Sequence, residues 1–298
     1  METSESGIAV IGPGAIGGAV AGALVDAGHE PVIAARTHFD DLRVEHPAGS
    51  VEAAVAVQTS PDAVERSADV IFLAVKAHQT ATAAPWLDAL AGPGTAVVVL
   101  QNGVEHRERL AGICGPGVEV IPAVVNLPAR RLEPGVVRVG GPARLTLERT
   151  AQADEAASLF DDSFLRAKAV DDWLTPAWTK LVLNAASGGL CVLTRTDNTV
   201  FADPAAQALA RSLMAEVIQV GRAEGAHLPD DLPDRIFEGL TRHANGHMAS
   251  IVVDRIEGHA TEWQARNAVI GRIAERHGID VPINRMLTDL IRLGEPEA

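Results

Sequence analysis

Three stretches of the chain are apolar without interruption for the length of a strand: Ile8 to Ile11, Val70 to Val75 and Ala96 to Leu100. Unbroken apolar runs of that length are what a strand buried on both faces of a parallel sheet requires. Between the first of them and Glu30 to Ala35, a fourth strand candidate, lies Ala15 to Ala27, rich in Ala, Val and Leu and closed by Gly28-His29; strand, helix and strand make a βαβ unit. Further on, Ala53 to Gln58 and Val118 to Val125 are strand candidates, and Ser60-Pro61-Asp62-Ala63 opens a short helix. Residues 36–49 form a polar connection. Val136 to Val139 and Ala143 to Leu147, joined by Gly140-Gly141-Pro142, are expected to form a hairpin that closes the sheet. Ala167 to Val170 is a last strand candidate, assignable to either half of the chain. From Trp173 the pattern becomes helical, with an apolar face at Trp178, Leu181, Val182, Ala185 and Ala186 and a long amphipathic helix from Pro204 to about Ala226. The expected architecture is an α/β Rossmann N-terminal domain over residues 1–172 and an all-α C-terminal domain over residues 173–298.

The first strand runs into Gly12-Pro13-Gly14-Ala15-Ile16-Gly17, a G-x-G-x-x-G turn in its full structural context. The first glycine permits the tight turn, the second lets backbone approach a pyrophosphate, and the third lets helix and strand pack closely, with the anion at the helix N-terminus. The end of the second strand then bears on the choice of dinucleotide. An acidic residue there would accept from a ribose 2′-hydroxyl, but the chain has Arg36, whose guanidinium matches a 2′-phosphate. That favours NADP(H). The competing reading is a solvated surface charge paired with Asp40 or Asp41. The next two strands end in Lys76-Ala77-His78-Gln79 and Gln101-Asn102-Gly103, at the carboxyl edge where open α/β sheets place ligands.

Composition narrows the partners. A formal net charge of −14 argues against nucleic acid or an anionic membrane as a general partner, so an anionic substrate would need a local basic site. Two cysteines, Cys114 and Cys191, provide neither a disulfide framework nor a metal cluster and suit a reducing cytoplasm. No apolar run approaches membrane-spanning length.

Two polar features interrupt the helical half. Lys180, Asn184 and Gly188, at successive i, i+4 positions, would share one side of a helix over 176–190. That row is either a solvated face or a site. Thr261-Glu262-Trp263-Gln264 has capping-box form, which places Glu262 in a first helical turn, with Arg266 one turn on as a possible ion-pair partner.

Taken together, Gly12-x-Gly14-x-x-Gly17 with Arg36, Lys76-Ala77-x-Gln79, Gln101-Asn102-Gly103, Lys180-Leu181-x-x-Asn184, Ser250, Thr261-Glu262, Asn267 and His277-Gly278-x-x-x-Pro282 resemble the ketopantoate reductase (2-dehydropantoate 2-reductase) family over nearly the whole chain. The resemblance implies an NADPH-dependent oxidoreductase of pantothenate biosynthesis, cytoplasmic and homodimeric, acting on a small carbonyl substrate. It implies that Lys180 is the general acid, with Glu262 and Asn102 beside it and Asn184 and Ser250 on the substrate. Cofactor contacts fall on Gly12, Gly14, Ala15, Ile16, Gly17, Arg36, Lys76, Gln79 and Asn102. Partial burial should tune the lysine pKa downward. Three positions depart from the family pattern: Gly188 replaces a second Asn, Gln264 an acid and Ala268 a glycine. Gly188 is expected to leave room for the substrate. Two other readings are a relative reducing a different ketone or imine in specialised metabolism, and a non-catalytic dinucleotide sensor.

Overall fold

A computed structural model describes residues 7–242 and 248–296. Strand β1 (Ile8–Ile11), helix α1 (Ala15–Asp26) and β2 (Val32–Ala34) form the βαβ unit, with β1 and β2 parallel. They are followed by β3 (Asp41–His46), β4 (Gly49–Ala54), β5 (Ala56–Gln58), β6 (Val70–Leu73), α2 (Ala84–Leu90), β7 (Ala96–Val99) and α3 (His106–Leu110). Next come β8 (Glu119–Asn126), β9 (Ala129–Glu133), β10 (Val136–Val139), β11 (Ala143–Glu148), α4 (Ala151–Ser158) and β12 (Leu165–Val170). Eight strands make one sheet in the order β12-β11-β8-β7-β6-β1-β2-β5, parallel except where β11 runs against β8.

The unbroken apolar runs divide by the two-residue period of a strand. Val10, Phe72 and Val98 face a core shared with α1 and α4, while Ile11, Leu73 and Val99 face one shared with α2 and Leu110 of α3. Both faces are covered, so neither position of the alternation is left for a polar residue.

A second sheet, β4-β3-β10-β9, lies against the other side of α1. Residues 36–49 are therefore not merely a connection, because β3 and β4 pair antiparallel through Asp41–Ala54 and His46–Gly49. The expected hairpin is also corrected. Strand β10 pairs with β3 and β9 in the small sheet, whereas β11 pairs with β8 and β12 in the large one. The physical reason is α1, which needs a cover for its outer face: Val137 and Val139 of β10 join Leu42 and Val44 of β3 in burying it. A Cβ on Gly18 would stand 2.7 Å from Val137 Cγ2, and one on Gly22 would collide with Val44. Every residue from Gly17 to Leu24 is buried, as befits a helix apolar all round.

The helical region contains α5 (Leu174–Leu183), α6 (Gly189–Thr194), α7 (Pro204–Ala223), α8 (Leu232–Arg242), α9 (Ser250–Ile256), α10 (Val269–His277) and α11 (Pro282–Leu293). Helix α7 starts at Asp203, whose carboxylate caps the amides of Ala205 and Ala206, with Pro204 at the first helical position. It packs against α5, α8, α10 and α11. By contacts the chain divides into two compact units, one comprising residues up to Asn102 with His106–Trp173, the other Gly103–Glu105 with Leu174 onward. Among the described residues no helix is long and apolar enough to cross a membrane, and no group of His, Cys, Asp and Glu is arranged to hold a metal ion.

Candidate active site

In the first unit, sheet register assembles the predicted edge. Ile11 stands opposite Ala34 and Leu73, and Leu73 opposite Val99, so the segments beginning at Gly12, Ala35, Ala74 and Leu100 leave the sheet on one rung. That brings Gly12–Gly17, Arg36, Lys76 and Asn102 to the same edge. Gly12 has φ +86°, which a side chain rarely adopts, and a Cβ there would lie 2.7 Å from Val75 Cγ1. A Cβ on Gly17 would strike the carbonyl of Gly12, whereas around Gly14 nothing lies within 4 Å. The three glycines thus serve a turn, an open approach and a close contact. Gly14 is the N-cap of α1 and no side chain caps this end. The first-turn amides of Ala15, Ile16 and Gly17 consequently have no partner within the helix, which is the donor set an anionic phosphate needs.

Arg36 is exposed just past β2 and makes no ion pair or side-chain hydrogen bond among the described residues; Asp40, its suggested partner, is bound by His38 at 3.1 Å. The donor set and the unengaged guanidinium fit NADP(H). Lys76 and Gln79 begin the turn after β6, where the Gln79 amide donates to the Lys76 carbonyl at 2.8 Å. Gln101 is buried and ties the two edge loops together, donating to Thr80 Oγ1 at 2.9 Å while its carbonyl pairs with His106 Nε2 at 2.9 Å. Asn102 is partly exposed, its carbonyl held by Arg109 Nη1 at 2.9 Å.

In the second unit the polar residues gather where regular helix fails twice. A π-helical turn, Asn184–Gly188, separates α5 from α6, and a second, Gln264–Ala268, precedes α10. The single helix expected over 176–190 is therefore interrupted, and the i, i+4 row ends at Asn184. Lys180 and Asn184 stay partly accessible, but the wide turn carries Gly188 into the interior. Asn267, fully buried on the second π turn, donates to the carbonyl of Ala185 on the first at 3.2 Å, and Asn284 of α11 donates to the carbonyl of Asn267 at 3.0 Å. These amides serve backbone groups that the irregular turns release.

The capping box does not form. Thr261 Oγ1 and N donate to Glu295 Oε1 and Oε2 at 2.6 and 2.9 Å, and Arg255 Nη2 donates to the same carboxylate at 2.6 Å. The hydroxyl is turned to donate to a charged acceptor, and in that orientation its oxygen does not cap a helix amide. Glu262 becomes the residue at the helix entrance instead, its carbonyl accepting from the amides of Ala265 and Arg266, both at 3.1 Å. The loop carrying Glu262 is thereby anchored to the end of α11.

Glu262 and Arg266 are only 7% and 5% exposed. Burial first and the Arg266 guanidinium second bring the Lys180 pKa down to about 8, against the opposing pull of the Glu262 carboxylate. Arg266 is itself held below its ordinary value by burial, against the pull of Glu262 and Asp254. The downward tuning expected of Lys180 is present, and it has an unexpected contributor. Arg266 Nη2 donates to Ser250 Oγ at 3.1 Å, while Nε and Nη1 are buried with no hydrogen-bond partner among the described residues. A Cβ on Gly188 would stand 2.9 Å from Nη1 and 3.3 Å from Ile251 Cγ2. The room expected at Gly188 is occupied by the guanidinium. The sequence offers Arg266 only as a possible ion-pair partner of Glu262, although a cation between Ala265 and the apolar run from Ala268 to Ile270 is a signal that it points inward.

The family model described as ketopantoate reductase PanE/ApbA matches residues 8–152, and its C-terminal counterpart matches residues 172–295. The chain is 39% identical to the 2-dehydropantoate 2-reductase of Caulobacter vibrioides over 95% of its own length and 97% of that protein's. To the 2-dehydropantoate 2-reductase of Mycobacterium tuberculosis it is 38% identical, over 96% and 97%. The crystal structure of a PanE/ApbA family ketopantoate reductase from Ralstonia eutropha JMP134 superposes with a TM-score of 0.88 at 32% identity, covering 97% of this chain and 98% of that one.

Proposed function

The chain belongs to the ketopantoate reductase family and is an oxidoreductase, and on that premise we propose that it uses NADPH to reduce a 2-oxo acid, 2-dehydropantoate first among candidates, to the 2-hydroxy acid. NADPH, when bound, supplies the hydride. The first unit is the cofactor cradle: the amides of Ala15, Ile16 and Gly17 and the open space at Gly14 take the pyrophosphate, Arg36 takes the 2′-phosphate, and Lys76, Gln79 and Asn102 complete the edge.

The second unit supplies the substrate groups. Lys180 gives a proton to the oxygen of the developing alkoxide, and its positive charge stabilises that oxygen as charge builds up. Glu262 holds a substrate hydroxyl, Asn184 orients the carbonyl without adding charge, and Ser250 binds the carboxylate. One observation carries this reading: a lysine with its pKa pushed down to about 8, within electrostatic range of the buried Glu262. A dinucleotide sensor has no use for a proton donor so tuned. The decisive measurement is NADPH oxidation, followed by absorbance, across a panel of 2-oxo acids; turnover of 2-dehydropantoate is expected, and absence of turnover with every member would overturn the proposal.

The division into an NADP(H)-binding part, 1–172, and a substrate and dimerisation part, 173–298, follows from the same assignment. We infer a homodimer as well. Met286, Leu290 and Leu293 are exposed at i, i+4 and i+7 on α11, one apolar helix face that a second copy would cover. Elution at the mass of a single 31.2 kDa chain would refute that. A reducing cytoplasm suits the two free thiols, both with pKa values raised, Cys191 to about 11.

A further inference from the structure

Arg266 has more donors than the protein uses. It is 5% exposed, so its guanidinium has given up nearly all of its water, yet Nε and Nη1 find no acceptor among the described residues. An incompletely paired buried cation is costly, and an anion arriving beside it recovers part of that cost. The chain makes specific provision for the group. A side chain on Gly188 would run into Nη1, so the glycine in the first π turn and the arginine in the second fit as a pair.

The surroundings define what the anion can be. Arg266 is within electrostatic range of Lys180, Glu262 and Asp254, so two charges of each sign gather about the guanidinium. That balance accepts a single negative charge more readily than a dianion such as a phosphate monoester. Ser250 marks the open end: it is exposed, and its hydroxyl accepts from Arg266 Nη2, which leaves its own proton to donate. A carboxylate placed there would receive the Ser250 proton and a guanidinium N–H together.

We propose that Arg266 is a specificity-determining residue that, with Ser250, receives the carboxylate of the 2-oxo acid, in space that Gly188 keeps clear for the guanidinium. The inference rests on the reductase reading above and adds to it the basis of selection for a carboxylate substrate over a neutral ketone.

The test compares KM and kcat for one 2-oxo acid and for its uncharged primary amide, in the parent and in Arg266→Leu and Arg266→Lys. Arg266→Leu should raise KM for the acid about ten- to a hundredfold, the usual result of losing a charge-assisted contact, and raise KM for the amide, which loses only a weaker contact, much less. Arg266→Lys, which keeps the charge but loses the planar fork, should fall between parent and leucine variant for the acid alone. If the leucine variant does not fold, the lysine variant decides by the same comparison. Equal movement of acid and amide, or no movement of either, overturns the assignment of Arg266 while leaving a reductase in place. A parent that binds NADPH but reduces no 2-oxo acid overturns both.

Discussion

The two units build their polar sites by opposite means. In the first, the donors on offer are backbone amides at the turn after β1, and glycine stands where a side chain would obstruct the turn, its approach or its packing. In the second, the polar groups are side chains: Glu262 and Arg266 are buried among helices, beside two π turns. A backbone site depends on local sequence. A side-chain site depends on partners far apart in the chain, as Lys180, Gly188, Ser250, Glu262 and Arg266 are.

The largest effect should fall on the side-chain site. Lys180→Ala is expected to lower kcat by about 10²–10⁴-fold, the range for loss of a general acid, with the NADPH dissociation constant from a fluorescence titration unchanged. A large weakening of NADPH binding would break the division of labour. In the first unit, Arg36→Asp, which removes the one side-chain cation proposed to act beside the backbone amides, should remove about 1.5–3 kcal/mol of preference for NADPH over NADH, seen as a ten- to hundredfold convergence of the two dissociation constants. Equal constants in the parent would dismiss the role given to Arg36.

Smaller still are the effects of the glycines, which separate packing from binding. Gly22→Val should cost about 1–3 kcal/mol through its collision with Val44 and lower the Tm. Gly14→Ala has open space around it, so its Tm should hold while NADPH affinity falls. The reverse pattern would mean that the turn is only structural.

The finest distinction lies in pH. A general acid must be protonated, so kcat/KM for reduction should decline as pH rises through about 8, where Lys180 gives up its proton. Glu262 holds that pKa up and Arg266 holds it down. Glu262→Gln should therefore move the alkaline limb to lower pH and Arg266→Leu to higher pH, and a limb that ignores both would detach Lys180 from the cluster. The same shift bears on folding. Between about 8 and the ordinary 10.5 the unfolded chain keeps a lysine proton that the folded one has lost, so this group's contribution to stability rises with pH across that window.

The same contrast governs what could be read from the sequence. Gly12, Gly14, Gly17 and Arg36 were legible because each acts within a few residues of its neighbours. Strands β3 and β4 were not, since Leu42 and Val44 are the only buried apolar positions of β3 and too few to reveal a period. For Val136–Val139 the alternation was read correctly and its partner was not, because an alternating strand looks the same whichever strand it joins. The π turns left no local mark at all. They depend on Asn267 reaching across to Ala185, and Arg266, one turn after Glu262, had the spacing of a surface ion pair.

Helix α1, held between two sheets, has one more consequence. A Rossmann helix usually keeps a wet face through which its amides can exchange protons with solvent, but α1 keeps none from Gly17 to Leu24. Its interior amides should therefore exchange hydrogen for deuterium only when the whole first unit opens, and α1 should be among the slowest segments of the molecule. The amides of Ala15 and Ile16 begin that immobilised rod. A phosphate arriving at them meets donors already fixed in direction, so little ordering entropy remains to be lost on binding.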